Sequence, residues 1–76
     1  MNEKQSISIG SIVHYMRNVS SGGEYMPELS PAVVTAIHDD GDCQLFVMNQ
    51  NGVYFCKSAY SDMPKPGYWS WPVSVL

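Results

Sequence analysis

The chain has 76 residues, of which 45% are hydrophobic, and a formal net charge of −3. This length permits one small globular domain and leaves no room for a large enclosed cofactor, so no cofactor is expected. The four basic residues are scattered singly, whereas binding of a nucleic-acid duplex needs clustered Lys and Arg side chains. Composition therefore excludes a disordered chain and disfavours duplex nucleic acid as a partner.

The N-terminus and the cysteines indicate the compartment. The start, Met-Asn-Glu-Lys-Gln-Ser, is polar, and no apolar run long enough for export or membrane spanning follows it. We expect residues 1–6 to form a flexible tail and residues 7–76 to form a single β-barrel domain that does not contact a membrane. Cys43 and Cys56 are then free thiols in the reducing cytoplasm.

Short strands divided by turns are predicted from residue 7 onward. A first strand over residues 7–16 is rich in β-branched and aromatic residues, and Gly10 interrupts it with a bend. Residues 17–30 contain Ser20-Ser21-Gly22-Gly23 and Pro27 and show no periodicity, which predicts a long loop. Loops of this length in small domains are often functional.

The centre of the chain predicts a three-stranded meander. A strand at residues 31–38 precedes Asp40-Gly41, and a strand at residues 43–49 precedes Asn51-Gly52 and a third strand up to Tyr60. Both dipeptides favour two-residue hairpin turns with positive φ at the two central positions.

The turns also predict the register of the meander. With Asn51 and Gly52 at the turn, Val47 faces Cys56 and Cys43 faces Tyr60. The two thiols are then separated by roughly 13 Å along the ladder, which excludes a disulfide between them.

The inner face of the meander follows from strand alternation. Val34 and Ile37 are three positions apart, so a regular strand would direct their side chains to opposite faces of the sheet. A β-bulge near Ala36 would turn both inward. The remaining predicted inner residues are Cys43, Leu45, Val47 and Cys56.

The C-terminal part combines a turn-rich connection with an aromatic segment. Pro64 and Pro66 prevent a regular ladder at residues 61–67, and Gly67-Tyr68-Trp69-Ser70-Trp71-Pro72 follows with three aromatic rings in four residues. A short last strand is expected at residues 73–76. About five short strands without a helix predict an all-β fold, a small SH3-like and partly open barrel, with an OB-like barrel as the alternative.

Residues 10–15 follow the pattern G-x-x-V-H-Y, residues 31–34 follow P-A-x-V, and residues 67–72 follow G-x-W-x-W-P. In this order the motifs resemble those of a group of small phage and prophage proteins. The resemblance implies a viral source and a compact β fold, and it implies no particular activity. The chain departs from the group in a longer segment at residues 17–30 and in extra residues at both ends. The matching segments are residues 10–15, 31–41, 43–47, 51–55 and 67–72.

Metal binding and catalysis find little support in the sequence. His38 and Cys43 are predicted to face each other across a hairpin, but the chain has neither C-x-x-C nor H-x-x-x-H spacing. A catalytic cysteine needs an oriented base beside it, and cysteines on apolar strands are usually buried and inert. We predict no metal site and no catalytic residue. The potential ligands considered are His14, His38, Cys43, Cys56, Asp39, Asp40 and Asp42, of which the aspartates are explained by the tight turn.

The aromatic residues are the best indication of function. Trp69 and Trp71 flank Ser70, so in an extended segment both side chains point to one face, as in a typical binding anchor. Trp69 is expected to be the more buried ring, because the return to the last strand of an SH3-like barrel begins there. The predicted binding residues are His14, Tyr15, Tyr25, Tyr68, Trp69 and Trp71.

Three kinds of function remain open, and the first is favoured. It is a non-enzymatic binding module that docks a host or viral protein through an aromatic surface. The second is a homo-oligomeric sponge for a small ligand or nucleotide messenger, which would counter host defence and needs more than one chain to enclose its ligand. The third is a minor component of a virion or of its assembly machinery.

Overall fold

The computed structural model describes residues 6–21 and 24–72, and the side chains of residues 6–17 and 26–72. The predicted last strand at residues 73–76 lies outside this range, as does the predicted tail apart from Ser6. Among the described residues, no helix is long and apolar enough to cross a membrane.

Five strands form one sheet that curls into a small barrel. Strands β1 to β4 pair antiparallel in chain order, β5 pairs antiparallel with β1, and β5 meets the end of β4 in parallel. Because β5 has three residues, the ring of hydrogen bonds is uneven. The predicted all-β, partly open barrel is confirmed, with the strand order expected of an SH3-like barrel. The strands are β1 (Ile12–Ser21), β2 (Glu24–Ile37), β3 (Cys43–Asn49), β4 (Gly52–Tyr60) and β5 (Tyr68–Ser70).

The predicted loop at residues 17–30 is wrong, because these residues continue β1 and β2 as one long hairpin. Pairing extends from Ile12 opposite Val33 to Ser21 opposite Glu24, and the sequence between the two strands is Gly22-Gly23. Gly-Gly is itself a hairpin signal. Pro27 fits this strand because β2 meets β3 only from Ala32 onward, so the proline removes no hydrogen bond from a second ladder.

The predicted first strand over residues 7–16 is wrong in its first half. Gly10 lies in a turn with a φ of 95°, and β1 begins after it at Ile12. The turn is tied to β2, since the Gly10 N–H donates to the carbonyl of Val34 at 2.7 Å and the Val34 N–H donates to the carbonyl of Ser11 at 3.0 Å.

The connection between β2 and β3 is longer than the predicted two-residue turn. The Gly41 N–H donates to the His38 carbonyl at 2.9 Å, and the His38 N–H donates to the Asp42 carbonyl at 2.8 Å. In this loop Gly41 takes a φ of 93°, whereas Asp40 does not have the predicted positive φ. This arrangement is a three-residue loop with a bulge. Cys43 is therefore opposite Ile37, and the predicted pairing with His38 is wrong.

The β3–β4 register differs from the predicted one by two residues. Asn49 pairs with Gly52, so the turn residues are Gln50 and Asn51. Asn49 Oδ1 accepts a hydrogen bond from the Asn51 N–H at 2.7 Å, and this Asx turn moves the connection back by one residue. Gly52 has the predicted positive φ, at 145°, and Asn51 does not. A slip of two keeps every side chain on its predicted face.

The thiols are closer together than predicted as a result. Cys43 pairs with Ser58 and Cys56 pairs with Leu45, so the cysteines are diagonal neighbours and the four-position separation is wrong. Diagonal residues are about 7–8 Å apart, just beyond the usual Cα separation of a disulfide. Both thiols are free.

The core lies inside the barrel and confirms most of the predicted inner face. A β-bulge occurs between Val34 and Ala36, as expected, and Val34 is buried, whereas Ile37 stays 41% exposed. Cys56 is half-buried against the core. The buried apolar residues are Val13, Ala32, Val34, Cys43, Leu45, Val47 and Trp69.

Candidate functional site

The structure divides the predicted binding residues between the two faces of the sheet. Tyr15 lies opposite Trp69 on the inside of the barrel. His14 precedes Tyr15 in an extended strand, so its side chain lies on the outside, and the same alternation separates Tyr68 from Trp69. Tyr25 is part of β2, and its side chain lies outside the described residues. The six residues therefore do not form one continuous surface.

Trp69 closes the core at the seam of the barrel, which we define as the place where β5 joins β1 and β4. Its ring centroid lies 4.8 Å from that of Tyr60 and 5.6 Å from that of Trp71. Trp69 is 4% exposed and Trp71 is half-buried, which confirms the predicted order of burial. Most of the Trp69 ring is thus used by the fold, and little of it is available to a partner.

Side chains from β1 and β4 bridge the uneven part of the barrel. The Arg17 guanidinium lies 5.6 Å from the centroid of the Tyr54 ring, and Arg17 Nε donates to Glu28 Oε1 at 3.0 Å.

Burial raises the pKa of the Cys43 thiol and that of the Cys56 thiol above the ordinary value of 9.0. Both thiols are therefore protonated near neutral pH, and this part of the chain holds no activated nucleophile of the thiolate kind.

The outside of the sheet carries an apolar row that the sequence analysis missed. Ile12 is opposite Val33, Val33 is opposite Phe46, and Phe46 is opposite Phe55. Directly opposed residues of antiparallel strands point to the same side. One apolar side chain from each of four strands therefore forms a continuous row across the sheet.

Further apolar residues extend this row along the strands. Phe55 is 64% exposed, Val53 57% and Ile12 55%. The Phe46 and Phe55 rings are 5.2 Å apart at an interplanar angle of 44°. We define the outer apolar face as Ile12, Met16, Leu29, Pro31, Val33, Phe46, Met48, Val53 and Phe55, with His14 among them.

The charged groups of the described side chains lie around the outer apolar face and not on it. Lys57 lies at its rim, where its Nζ is 3.3 Å from Asp40 Oδ2. The acidic residues are Glu28 on the inside, Asp39, Asp40 and Asp42 in the β2–β3 connection, and Asp62 in the β4–β5 connection. Single exposed apolar residues are normal on a protein surface, but a contiguous apolar patch marks a site of interaction.

The sequence contained a signal for this face. Strand β3 is apolar in both phases, since Phe46 and Met48 alternate with the buried Leu45 and Val47. Such strands are typical of sheets that are covered on both sides. The second apolar phase of β3 is therefore the sequence signal from which the outer apolar face could have been found.

Neither a metal site nor a similarity to a known protein supports or opposes a functional role of the outer apolar face. Among the described side chains, those of residues 6–17 and 26–72, no three from His, Cys, Asp or Glu come together as a metal site. Comparison of the chain with models of protein families, with curated proteins and with solved structures gives no match. The outer apolar face is therefore assigned from its geometry alone.

Proposed function

We propose that this chain is a small, non-enzymatic binding module of phage type, which docks a host or viral protein through its outer apolar face in the cytoplasm of the host. The observation that supports the proposal is the row from Ile12 to Phe55, which crosses four strands and leaves large apolar side chains in water. This location replaces the C-terminal aromatic segment as the docking surface.

Phe55 is the anchor of this surface. It is 64% exposed, and its ring centroid lies 5.2 Å from that of Phe46. Aromatic side chains, Phe included, are enriched at the cores of protein–protein interfaces. Burial of on the order of 130 Å² from the Phe55 ring would stabilise a complex by about 3 kcal/mol.

The non-enzymatic assignment is supported by the state of the polar groups. Burial keeps both thiols in the protonated form, and Arg17 and Glu28 bind each other. The outer apolar face itself contains His14 as its one titratable group among the described side chains. A surface of this composition binds by exclusion of water rather than by chemistry.

Photo-crosslinking tests the proposal. p-Benzoylphenylalanine is placed at Phe55 in one variant and at Met63 in a matched control, because Met63 is 71% exposed but lies in the β4–β5 connection. Bacterial cells that produce each variant are irradiated, and adducts are separated by denaturing electrophoresis. We expect discrete protein adducts from position 55 and none from position 63. Identical patterns from the two positions would contradict a docking role for this face.

A further inference from the structure

We propose that an extended segment of another protein inserts as an additional strand into a gap in the barrel wall between β1 and β4, beside Phe55. This inference rests on the proposed function, since it names the kind of segment that docks there. We define the slot as this gap, bounded by residues 17–21 of β1 and residues 53–57 of β4. The slot exists because β5 pairs with only two residues of β1 and two of β4.

A tight turn keeps β5 short. The Tyr68 N–H donates to the Lys65 carbonyl at 3.0 Å, and Gly67 has a φ of 88°. Pro66 and Gly67 are the central residues of this turn, and a type II turn favours this pair of residues in this order. The chain therefore reverses direction just before β5 and does not continue the strand into the slot.

Strand β1 presents an open edge to the slot, whereas the opposite edge of the same hairpin is blocked. The Met16 carbonyl accepts a hydrogen bond from the β5 side, so strand alternation directs the N–H and C=O groups of Asn18 and Ser20 into the slot. On β2, Pro27 and Pro31 lie at positions whose nitrogens face away from β1. Prolines at such positions prevent an edge from pairing with another strand. The hairpin therefore admits a new strand on its β1 side alone.

Strand β4 presents a matching edge. The Ser61 N–H donates to the Trp69 carbonyl at 2.9 Å, so alternation along β4 directs the backbone groups of Val53, Phe55 and Lys57 into the slot. Val53 is 57% exposed and Phe55 64%, so the described chain does not cover this edge. Among the described residues, the groups that face the slot from β1 and β4 have no backbone partner. Such paired edges are what an added strand binds.

The width and lining of the slot define its occupant. At one end β5 itself lies between β1 and β4, which sets them roughly 9–10 Å apart at the usual strand spacing. Outward side chains of an inserted strand would lie beside Val53 and Phe55, which favours apolar residues. Inward side chains would lie over Arg17 and Tyr54, whose contact fills the inside, which favours small polar residues. The occupant is therefore a proline-free segment in which apolar and small polar residues alternate.

Hydrogen exchange measured by NMR spectroscopy with a defined peptide tests the inference. The probe is a seven-residue peptide of alternating valine and threonine with a lysine at each end, and the control is the same peptide with N-methylated valines. In the free chain we expect the N–H groups of Asn18, Ser20, Phe55 and Lys57 to exchange rapidly. The probe at about 5 mM should slow this exchange several-fold, and the control should not. Protection already present in the free chain, or none with the probe, would contradict the inference.

Proline substitution connects the slot with the crosslinking from Phe55. Ser20→Pro removes an N–H that faces the slot and leaves the ladder with β2 intact, so it should abolish the adducts. Ser20→Ala keeps that N–H, and Tyr25→Pro removes an N–H from the blocked edge of the hairpin, so both should retain the adducts. Circular dichroism confirms that each variant is folded, and if Ser20→Pro unfolds, Asn18→Pro decides.

The outcomes separate the two proposals. Adducts from position 55 that survive Ser20→Pro overturn the strand insertion and leave the docking function standing. A chain without adducts from position 55 in the otherwise unchanged sequence removes both proposals.

Discussion

Trp69 lies edge-on against Trp71, with ring centroids 5.6 Å apart and an interplanar angle of 85°, yet Trp69 is buried and Trp71 is half-buried. Trp69 also pairs with Tyr15 of β1 and with Tyr60 of β4. One ring therefore joins the two strands between which the barrel closes, and the other covers it from the side.

Truncation of the two tryptophans should have unequal effects. Trp69→Ala opens a cavity at the seam and should lower the free energy of unfolding by about 3–5 kcal/mol, as a core truncation does. Trp71→Ala removes a ring that already contacts water and should cost about half as much. Urea denaturation followed by far-UV circular dichroism measures both values without dependence on tryptophan fluorescence. Equal losses would show that the two rings carry the seam together.

Gly41 should be sensitive to substitution for conformational reasons alone. Its φ is 93°, and a Cβ added there would meet no atom within 4 Å. Gly41→Ala should therefore lower the free energy of unfolding by about 1–2 kcal/mol through left-handed backbone strain without a clash. Asp39→Ala, in the same connection at a residue without positive φ, is the matched control and should change stability by less. Thermal unfolding of the two variants gives the comparison, and equal midpoints would mean that the loop rearranges.

The two thiols should react slowly and in a defined order. Burial raises the pKa of both, and Cys43 is fully buried whereas Cys56 is half-buried. We expect iodoacetamide to label Cys56 first and Cys43 only after unfolding, with two labels in denaturant. Mass spectrometry of the intact chain follows the reaction. A denatured chain that takes no label and is lighter by two protons would reveal a disulfide and contradict the register.

Asp40 should contribute to stability on the acid side. The N–H of Asp42 and then the ammonium of Lys57 hold the pKa of the Asp40 carboxyl below its ordinary value of 3.8. Because the folded pKa is the lower one, the contribution is complete above the unfolded pKa and is lost as the pH falls through the folded pKa. Asp40→Asn should lower the unfolding midpoint near neutral pH, and the difference from the wild type should shrink as the pH falls below about 4, which flattens the acid limb of the variant. If the unfolding midpoints of the variant and the wild type fell equally at acidic pH, Asp40 would not contribute to stability through its lowered pKa.

Local patterns predicted the parts of the fold that depend on local physics. The alternation of Cys43, Leu45 and Val47 is a property of one strand, so their burial could be predicted without knowledge of their partners. The register could not, because the side chains of Asn49 and Asp40 form hydrogen bonds that shift the turns. The general rule for Asn-Gly and Asp-Gly turns considers only the φ angles of the turn residues and not the hydrogen bonds of neighbouring side chains.

The candidate site could be predicted less well than the fold. Trp69 and Trp71 are conspicuous because only Ser70 separates them in the sequence, but a dense aromatic segment at the seam is largely buried in the core. Phe46 and Phe55 lie on different strands and meet only through the pairing of β3 with β4. Such a surface is formed by residues from different strands, so it can be predicted only when the register of the strands is known.

The closing contact between Tyr15 and Trp69 joins the two ends of the chain, whereas every other strand pair of the described barrel joins neighbours in sequence. Hairpins form within microseconds, but closing a loop of more than fifty residues costs about 3–4 kcal/mol of chain entropy before its contacts form. Strand β5 should therefore dock after the folding transition state. Trp69→Ala would then accelerate unfolding and leave the folding rate almost unchanged, so the seam governs how long the barrel stays closed rather than how fast it forms.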